Sequence, residues 1–337
     1  MANPAGLGAA GWVCLVLEDT MGTYLPPSTS GAIWIPILDE TLAYTEDAYY
    51  SQQIREEVVD IERTQGFYHV EGNLNMEFDA NYAPYFGVCS RHDIAPSGSS
   101  PTLYEFTPSS AGSAFSAGLN RTASITVVRN GVGFGYAGCV VNNWEFTIDS
   151  GVLRMNLGMF GLSEQEPVAL DTPTWLDPSL LGAAHHEVRV DAAGTAPAFA
   201  TASAEFNGFT ATFNHNATAE NRLTGSRAAT YVAYHKTDAT FDSELDFLDR
   251  TEYDAFVDNE RRAVRFSSWK GGTGFADSDE GVQITYYNTA YDTYPVQLTG
   301  LADLIMANVT GRALIIAGGV PYKIAVRSDV AAATVGT

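Results

Sequence analysis

Apolar and polar side chains alternate along most of this chain with a period of two. The clearest case is Gly133–Leu162 (GFGYAGCVVNNWEFTIDSGVLRMNLGMFGL). Trp144, Phe146 and Ile148 alternate with Glu145 and Thr147, and Leu153, Met155, Leu157 and Met159 alternate with Arg154 and Asn156. That period belongs to half-buried strands. Asp149-Ser150-Gly151 between the two runs supplies turn chemistry, with Gly151 free to take a positive φ. The stretch predicts a long hairpin with one apolar face.

The same reading gives a Gly/Ala/Pro-rich extended segment over residues 1–30 and then an apolar strand, Ala32–Leu38, which Pro36 confines to an edge or a strand end. Further strands are predicted at Thr41–Tyr44, Ile54–Ile61, Gly66–Phe78 (Leu74, Met76 and Phe78 on one face) and Thr122–Arg129. Ile94–Pro101 reads as a Pro/Ser/Gly-rich loop. Around Glu164–Gly182 the periodicity stops and three prolines appear, which marks a boundary. Beyond it, strands are predicted at His186–Val190, Ala202–Asn214 (with Phe206, Phe209 and Phe213), Tyr231–Phe241, Val264–Trp269, Gly281–Tyr287, Tyr294–Leu298, Arg312–Ala317 and Pro321–Val326. Glu244–Arg262 is the best helix: Leu245, Leu248, Tyr253 and Phe256 fall near helical spacing, and Asp249 with Glu252 caps its start. The chain is therefore mainly β with one or two short helices.

The halves read as weak copies of each other. ETLAYTEDAYYSQQIREE followed by FYHVEGNLNMEFDANYAPYF is matched in texture by FTATFNHNATAENRLTGS followed by YVAYHKTDATFDSELDFLDRTEYDAF. A tandem duplication of about 150 residues accounts for this.

Composition narrows the function. Forty acidic residues face 18 basic ones, giving a net charge of -22, the wrong sign for neutralising nucleic-acid phosphates or an anionic membrane surface. Lys236, Lys270 and Lys323 are the only lysines. Such an acid-rich, lysine-poor surface suits a halophilic host, where salt screens the self-repulsion. Cys14, Cys89 and Cys139 are scattered and fit buried thiols of a reducing compartment. No apolar run reaches a membrane span. Ala9–Leu17 lacks a basic flank and meets Glu18-Asp19 at once, so it is not expected to be a signal peptide.

No motif carries chemistry. Gly133-x-Gly135-x-x-Gly138 matches a dinucleotide fingerprint as a string, but a strand follows it where a helix is required. Lys270-Gly-Gly-Thr-Gly has its lysine on the wrong side of the glycines for a phosphate loop. Asp277-Ser-Asp279-Glu280-Gly281 is an acidic turn without the spacing of a helix–loop–helix calcium site. His185-His186 is the only histidine pair, and His69, His92, His215 and His235 are isolated. No zinc-protease or serine-elbow pattern occurs. The sequons at Asn120, Asn216 and Asn308 are expected to stay unused. No catalytic, cofactor-binding or metal-binding residue is assigned, and the chain is read as no enzyme and as needing no cofactor.

Four segments carry a resemblance. They are Gly22-Thr-Tyr24 with Pro27-Ser28 and Ile35–Asp47; Val70-Glu71-Gly72-Asn73 with Tyr82–Gly87; Phe106-Thr107-Pro108; and Phe134–Glu164, with a looser match continuing to Val326. In these the chain resembles the tail tube (major tail) proteins of long-tailed viruses, of the longer, duplicated type. The resemblance implies two tandem tail-tube-like β-sandwich or barrel domains. The first is 1–170, with an N-terminal arm and extended loop; the second is 183–337. It also implies that subunits join strands into rings whose lumen is one continuous barrel, three chains making a pseudo-hexameric ring, and that rings stack. Thr23–Asp47 is the candidate arm to the next ring, and Gly133, Gly135 and Gly138 are bends entering the wall. The implied partners are further copies of the chain, a tape measure protein inside the tube, tail terminator and tail-tip proteins, and viral double-stranded DNA in transit without specific binding. No membrane is involved. The implied location is the virion tail, assembled in the host cytoplasm, and an acidic lumen lets DNA slide. Two other classes fit the composition less well: a secreted or surface β-sandwich that binds sugar or protein, and a hydrolase using two carboxylates.

Overall fold

The computed structural model describes residues 11–51, 62–109, 121–165, 168–176, 179–203, 205–297 and 305–335. In the first half β1 (Trp12–Leu17), β2 (Ile33–Ile35), β3 (Asp39–Glu40), β4 (Ala43–Glu46), β5 (Tyr49–Tyr50), β6 (Arg63–Thr64) and β7 (Tyr68–Glu77) lead into α1 (Ala83–Val88). Then come β8 (His92–Ser97), β9 (Thr102–Pro108), β10 (Ala123–Arg129), β11 (Val132–Asp149), β12 (Val152–Gly161) and β13 (Ser163–Gln165). The second half holds β14 (His186–Ala192), β15 (Thr210–Asn214), β16 (Thr218–Glu220), β17 (Tyr231–Ala233), β18 (Asp238–Asp246) and α2 (Thr251–Val257). It ends with β19 (Arg262–Lys270), β20 (Glu280–Thr293), β21 (Val296–Gln297), β22 (Met306–Ala313) and β23 (Tyr322–Ser328). The fold is mainly β with short helices, as the alternation predicts.

One long antiparallel sheet runs β3/β4–β7–β12–β11–β15–β18–β22–β20, with β21 extending the last edge along β22. Two smaller sheets share its long strands. The N-terminal part of β11 belongs to β2–β1–β10–β11–β13. The N-terminal part of β20 belongs to β14–β19–β20–β23–β9–β8. Alternation decides the faces. Leu74, Met76, Trp144, Phe146, Leu157, Phe213, Phe241 and Leu245 point from the long sheet into a core shared with Val13, Ile125, Tyr136, Phe266 and Ile284 of the smaller sheets.

The bend in β11 is a bulge. Its register against β10 slips between Ala123 and Ile125, so that Ala137 and Gly138 together oppose Ser124. Gly138 sits at φ +67, and a Cβ there would lie 2.7 Å from the Leu162 side chain, so both backbone and space require glycine. Its N–H donates to a carboxylate oxygen of Glu18, which also accepts from Gly22 N, Thr122 Oγ1 and Ser124 Oγ. This carboxylate, 2% exposed, ties β1, β10 and β11 together.

The second half repeats the pairings of the first. Ala43 pairs with Glu71 and Thr212 with Thr240, each of the latter two 169 positions after its counterpart. The hairpins β5–β6 and β16–β17 recur between these strands, and the helices α1 and α2 recur just after them. The β10–β11–β12 arrangement recurs as β19–β20–β22. Even the irregularities match: β19–β20 slips between Arg262 and Val264, as β10–β11 does. A second slip in β11–β12 between Val141 and Asn143 has its counterpart in β20–β22 between Tyr291 and Thr293.

Several expectations change. Ile94–Pro101, read as a loop, overlaps β8 over Ile94–Ser97; among the described residues β8 pairs only with β9, and Pro96 is tolerated because that strand is an edge. The helix over Glu244–Arg262 shrinks to Thr251–Val257. Glu244, Leu245 and Asp246 pair with Asn308, Ala307 and Met306 instead, and Leu248 is left exposed. The ladder and the burial of Leu245 outweigh local helical spacing. The strand expected at Arg312–Ala317 lies earlier, at Met306–Ala313, where it fills the gap between β18 and β20. The strand expected at Ile54–Ile61 lies outside the described residues.

The halves meet in an aromatic core. Trp144 touches Phe146, Phe106 and His92, and Phe213 packs on Phe146, Tyr286 and Tyr322. His92 and His215, 123 positions apart, come together with ring centroids 4.9 Å apart. His92 bonds Ser90 Oγ and Tyr322 Oη, and His215 bonds Thr237 Oγ1. Burial pushes both imidazoles down, His215 to about 3, and the neighbouring His215 depresses His92 further.

Two outcomes follow from these contacts. Gly138→Ala is expected to cost about 2 kcal/mol or more through the left-handed backbone and the Leu162 clash, lowering the thermal midpoint by several degrees. Gly182→Ala, with open space around it, should leave the midpoint within a degree. Because the two histidines are depressed in the fold and ordinary (6.5) when unfolded, they contribute stability above pH 6.5 that is withdrawn as the pH falls towards their folded values. Each withdraws about 1.4 kcal/mol per pH unit below that point. Melts from pH 7.5 to 5 should therefore fall more steeply for the native chain than for His215→Gln, and parallel curves would contradict this origin.

Candidate assembly surfaces

The uncovered face of the long sheet is polar. Across it runs the row Asp39, Asn75, Asn156, Glu145, Thr212, Thr240 and Arg312, aligned strand to strand. The neighbouring row holds Glu77, Arg154, Thr147, Thr210, Asp242 and Thr310. Glu71, Asp149, Asp238, Glu244 and Asp246 share the face by the same alternation. On these strands nine carboxylates meet two guanidinium groups, Arg154 and Arg312. Arg154 pairs with Asp149, and Arg312 lies 3.7 Å from Asp238 and 3.5 Å from Asp292. Desolvation pushes the Asp242 carboxyl up. The face is acidic and rich in Asn and Thr; its large apolar side chain on β12, Phe160 opposite Glu71, is packed against Ala217, Ala219 and Val232 of the β15–β18 segment.

The sheet has two unpaired edges among the described residues: β4, which pairs only with β7, and the β20–β21 edge beyond β22. At the end of β4, Glu46 forms ion pairs with Arg227 at 3.0 Å and Arg63 at 3.7 Å. The adjacent hairpin leaves Tyr49 and Tyr50 62% and 46% exposed. Isolated edges and exposed aromatic side chains of this kind mark contact surfaces.

Thr23–Asp47, the expected arm, is laid along its own chain. Tyr24 Oη bonds Thr126 Oγ1 at 2.6 Å, Leu25 N donates to Ser124 Oγ, β2 pairs with β1, and β3 and β4 pair with β7. Short backbone bonds such as Leu38 N to Asn75 O and Thr41 N to Asn73 O hold it there.

The residues singled out for chemistry fall into structural roles. Gly133 and Gly135 lie within β11, where Cβ atoms would meet the side chains of Leu170, Val168 and Tyr24. The Lys270 segment forms the β19–β20 turn, and the Asp277 carboxylate closes it by accepting from Thr273 N, Thr273 Oγ1 and Gly274 N. Asp279 N donates to Lys270 O. Glu280 is buried beside Asp79, each bonded to Ser179, and burial pushes both carboxyls up. Among the described residues no three His, Cys, Asp or Glu side chains are arranged to hold a metal. His186 bonds Ser268 Oγ and Gly151 O. His235 meets Thr218 Oγ1, and His69 lies 3.5 Å from Glu71. Cys14, Cys89 and Cys139 are free and fully buried, and burial pushes the Cys14 thiol up to about 12. Asn216 is turned inward on Lys236 O and Asp238, Asn308 stands on β22, and Asn120 lies outside the described residues. Sequence reasoning missed the Glu18 knot, the Asp79–Glu280 pair and the His92–His215 contact, because each joins positions far apart in the chain.

No curated protein sequence matches the chain. The family model described as phage tail tube protein matches residues 8–313. That span takes in both edges, the acidic face and both halves of the repeat, and the chain belongs to the phage tail tube protein family.

Proposed function

We propose that this chain self-assembles into stacked rings that form the bore of a viral tail, through which the genome is delivered. Each chain supplies two tube units, 1–170 and 183–337, so three chains make a pseudo-hexameric ring. The observation that carries this reading is the long sheet: eight strands in two equivalent sets of four, apolar side covered, polar side open over most of its area, and both ends unpaired among the described residues. A head-to-tail contact whose rotation closes makes a ring. Twenty-four strands at ~4.8 Å spacing and ~40° tilt enclose a backbone diameter of roughly 45–50 Å, wide enough to leave an open channel.

Only the polar face is free to line that channel. Its carboxylates repel phosphate, so duplex DNA passes without adhering, while the Asn and Thr side chains keep the wall wetted. In this reading a tape measure protein occupies the bore during assembly. Terminator and tip proteins close the tube ends, and the tube matures in the host cytoplasm before joining the virion. The high net negative charge matches a salt-rich host.

Negative-stain microscopy of the purified chain should show hollow tubes or rings, and discrete monomers at high salt and high concentration would sink the proposal. Assembled native tubes should leave linear duplex DNA in the supernatant at low salt. Tubes of an Asp242→Lys/Glu244→Lys variant should retain it at least ten-fold more, with the difference shrinking as salt rises. Equal retention by both would contradict an acidic bore.

A further inference from the structure

Within one chain the two halves are joined by a specific contact. The outer edge of β11 pairs with β15, Asn143 opposite Asn214 and Thr147 opposite Thr210. The hairpin that follows β15 then crosses onto the first half. There Ala217, Ala219 and Val232 pack with Val140, Phe160 and Leu162. The donor of this junction is thus β15 with its hairpin, and the acceptor is the β11 edge.

The repeat supplies each part a second time. Elements β4, β5 and β6 are the donor set of the first half, 169 positions earlier in the chain, and among the described residues no strand occupies their outer side. Tyr50 stands at the position of Ala219, which is covered in the second half, yet Tyr50 is 46% exposed. The Ala290–Thr293 part of β20, continued by β21, is the acceptor edge of the second half; Val296 and Gln297 pair with Ala307 and Met306 as Phe146 and Thr147 pair with Met155 and Arg154. Donor and acceptor lie at opposite ends of one sheet, seven strand spacings or roughly 33 Å apart, so they cannot meet within a chain.

We propose that β4 and the β5–β6 hairpin of a second copy dock on the β20–β21 edge in the register of the β11–β15 junction, with Thr45 opposite Thr293 and Tyr44 opposite Tyr294. This rests on the ring reading above and names its contact. The backbone chemistry fits. His215 N donates to Asn142 O and Ile148 N to Phe209 O, so even-numbered groups of β11 face β15, and Glu145 faces β12. Pro295, at the position of Glu145, therefore lacks its N–H on the side away from the incoming strand. Leu42, whose carbonyl already accepts from Arg129 and Tyr136, ends the ladder on the donor side. Asp292 and Glu46 fall opposite each other, and each brings its own arginine, Arg312 at 3.5 Å and Arg227 at 3.0 Å.

The test is a paired-cysteine scan read on non-reducing gels of assembled material. Directly opposed, non-hydrogen-bonded residues of antiparallel strands lie within disulfide range. The native thiols are buried and do not compete. Thr45→Cys/Thr293→Cys should give reducible bands of two and three chains, at least ten-fold stronger than Ala43→Cys/Thr293→Cys. Asn143→Cys/Asn214→Cys should close within the chain and stay monomeric. Tyr50→Asp should abolish assembly while leaving the melting midpoint within about a degree. Rings or tubes that form without this cross-link, or that cross-link equally out of register, overturn the contact while sparing the ring reading. A native chain that forms neither rings nor tubes overturns both.

Discussion

A strand that serves two layers is the constraint on which the rest of this molecule depends. β11 begins in one sheet and ends in another, and it can do so only because Ala137 and Gly138 take the place of one residue against Ser124. The extra residue turns the strand, the left-handed glycine allows the turn, and the Glu18 carboxylate catches the N–H that the ladder releases. Without the bend, Val132–Tyr136 and Trp144–Ile148 could not line opposite sides of one core. The second half solves the same problem with the same slip in register, at β19–β20.

From that bend the charge distribution follows. Once the apolar side of the long sheet is covered, every carboxylate on the alternate positions is left on one open surface. On that surface nine carboxylates of the long sheet face only two guanidinium groups, in a chain whose net charge is -22. Pattern sets where charge goes, and composition sets how much there is.

Much of this was legible in the sequence, because alternation is a local signal. The β11–β12 hairpin, its Asp149-Ser150-Gly151 turn, β7 and β10 lie where the pattern puts them, and Ser150 and Gly151 take the positive φ values that such a turn needs. The repeat was visible only as texture. Equivalent positions share a face rather than a residue: Leu74 corresponds to Ser243, and Trp144 to Tyr294. What failed locally failed for non-local reasons. Leu245 left a plausible helix because β22 offered it a ladder and a core, and Pro96 entered a strand because no described residue pairs on its other side. The histidine contact and the Glu18 knot involve partners that no spacing rule connects.

The β11–β15 junction also differs in kind from the two free edges. Being inside one chain, it forms at any concentration and never has to exist open in water. It can therefore be greasy: Trp144 and Phe213 sit opposite each other with no exposure at all. In the proposed ring the bare edges must survive synthesis and diffusion before they meet another copy, and they carry Tyr44, Thr45, Glu46 and Asp292 instead. In the proposed assembly, carrying both halves in one polypeptide thus divides the labour between a permanent seam, free to become hydrophobic, and a sociable one that has to remain soluble while it waits.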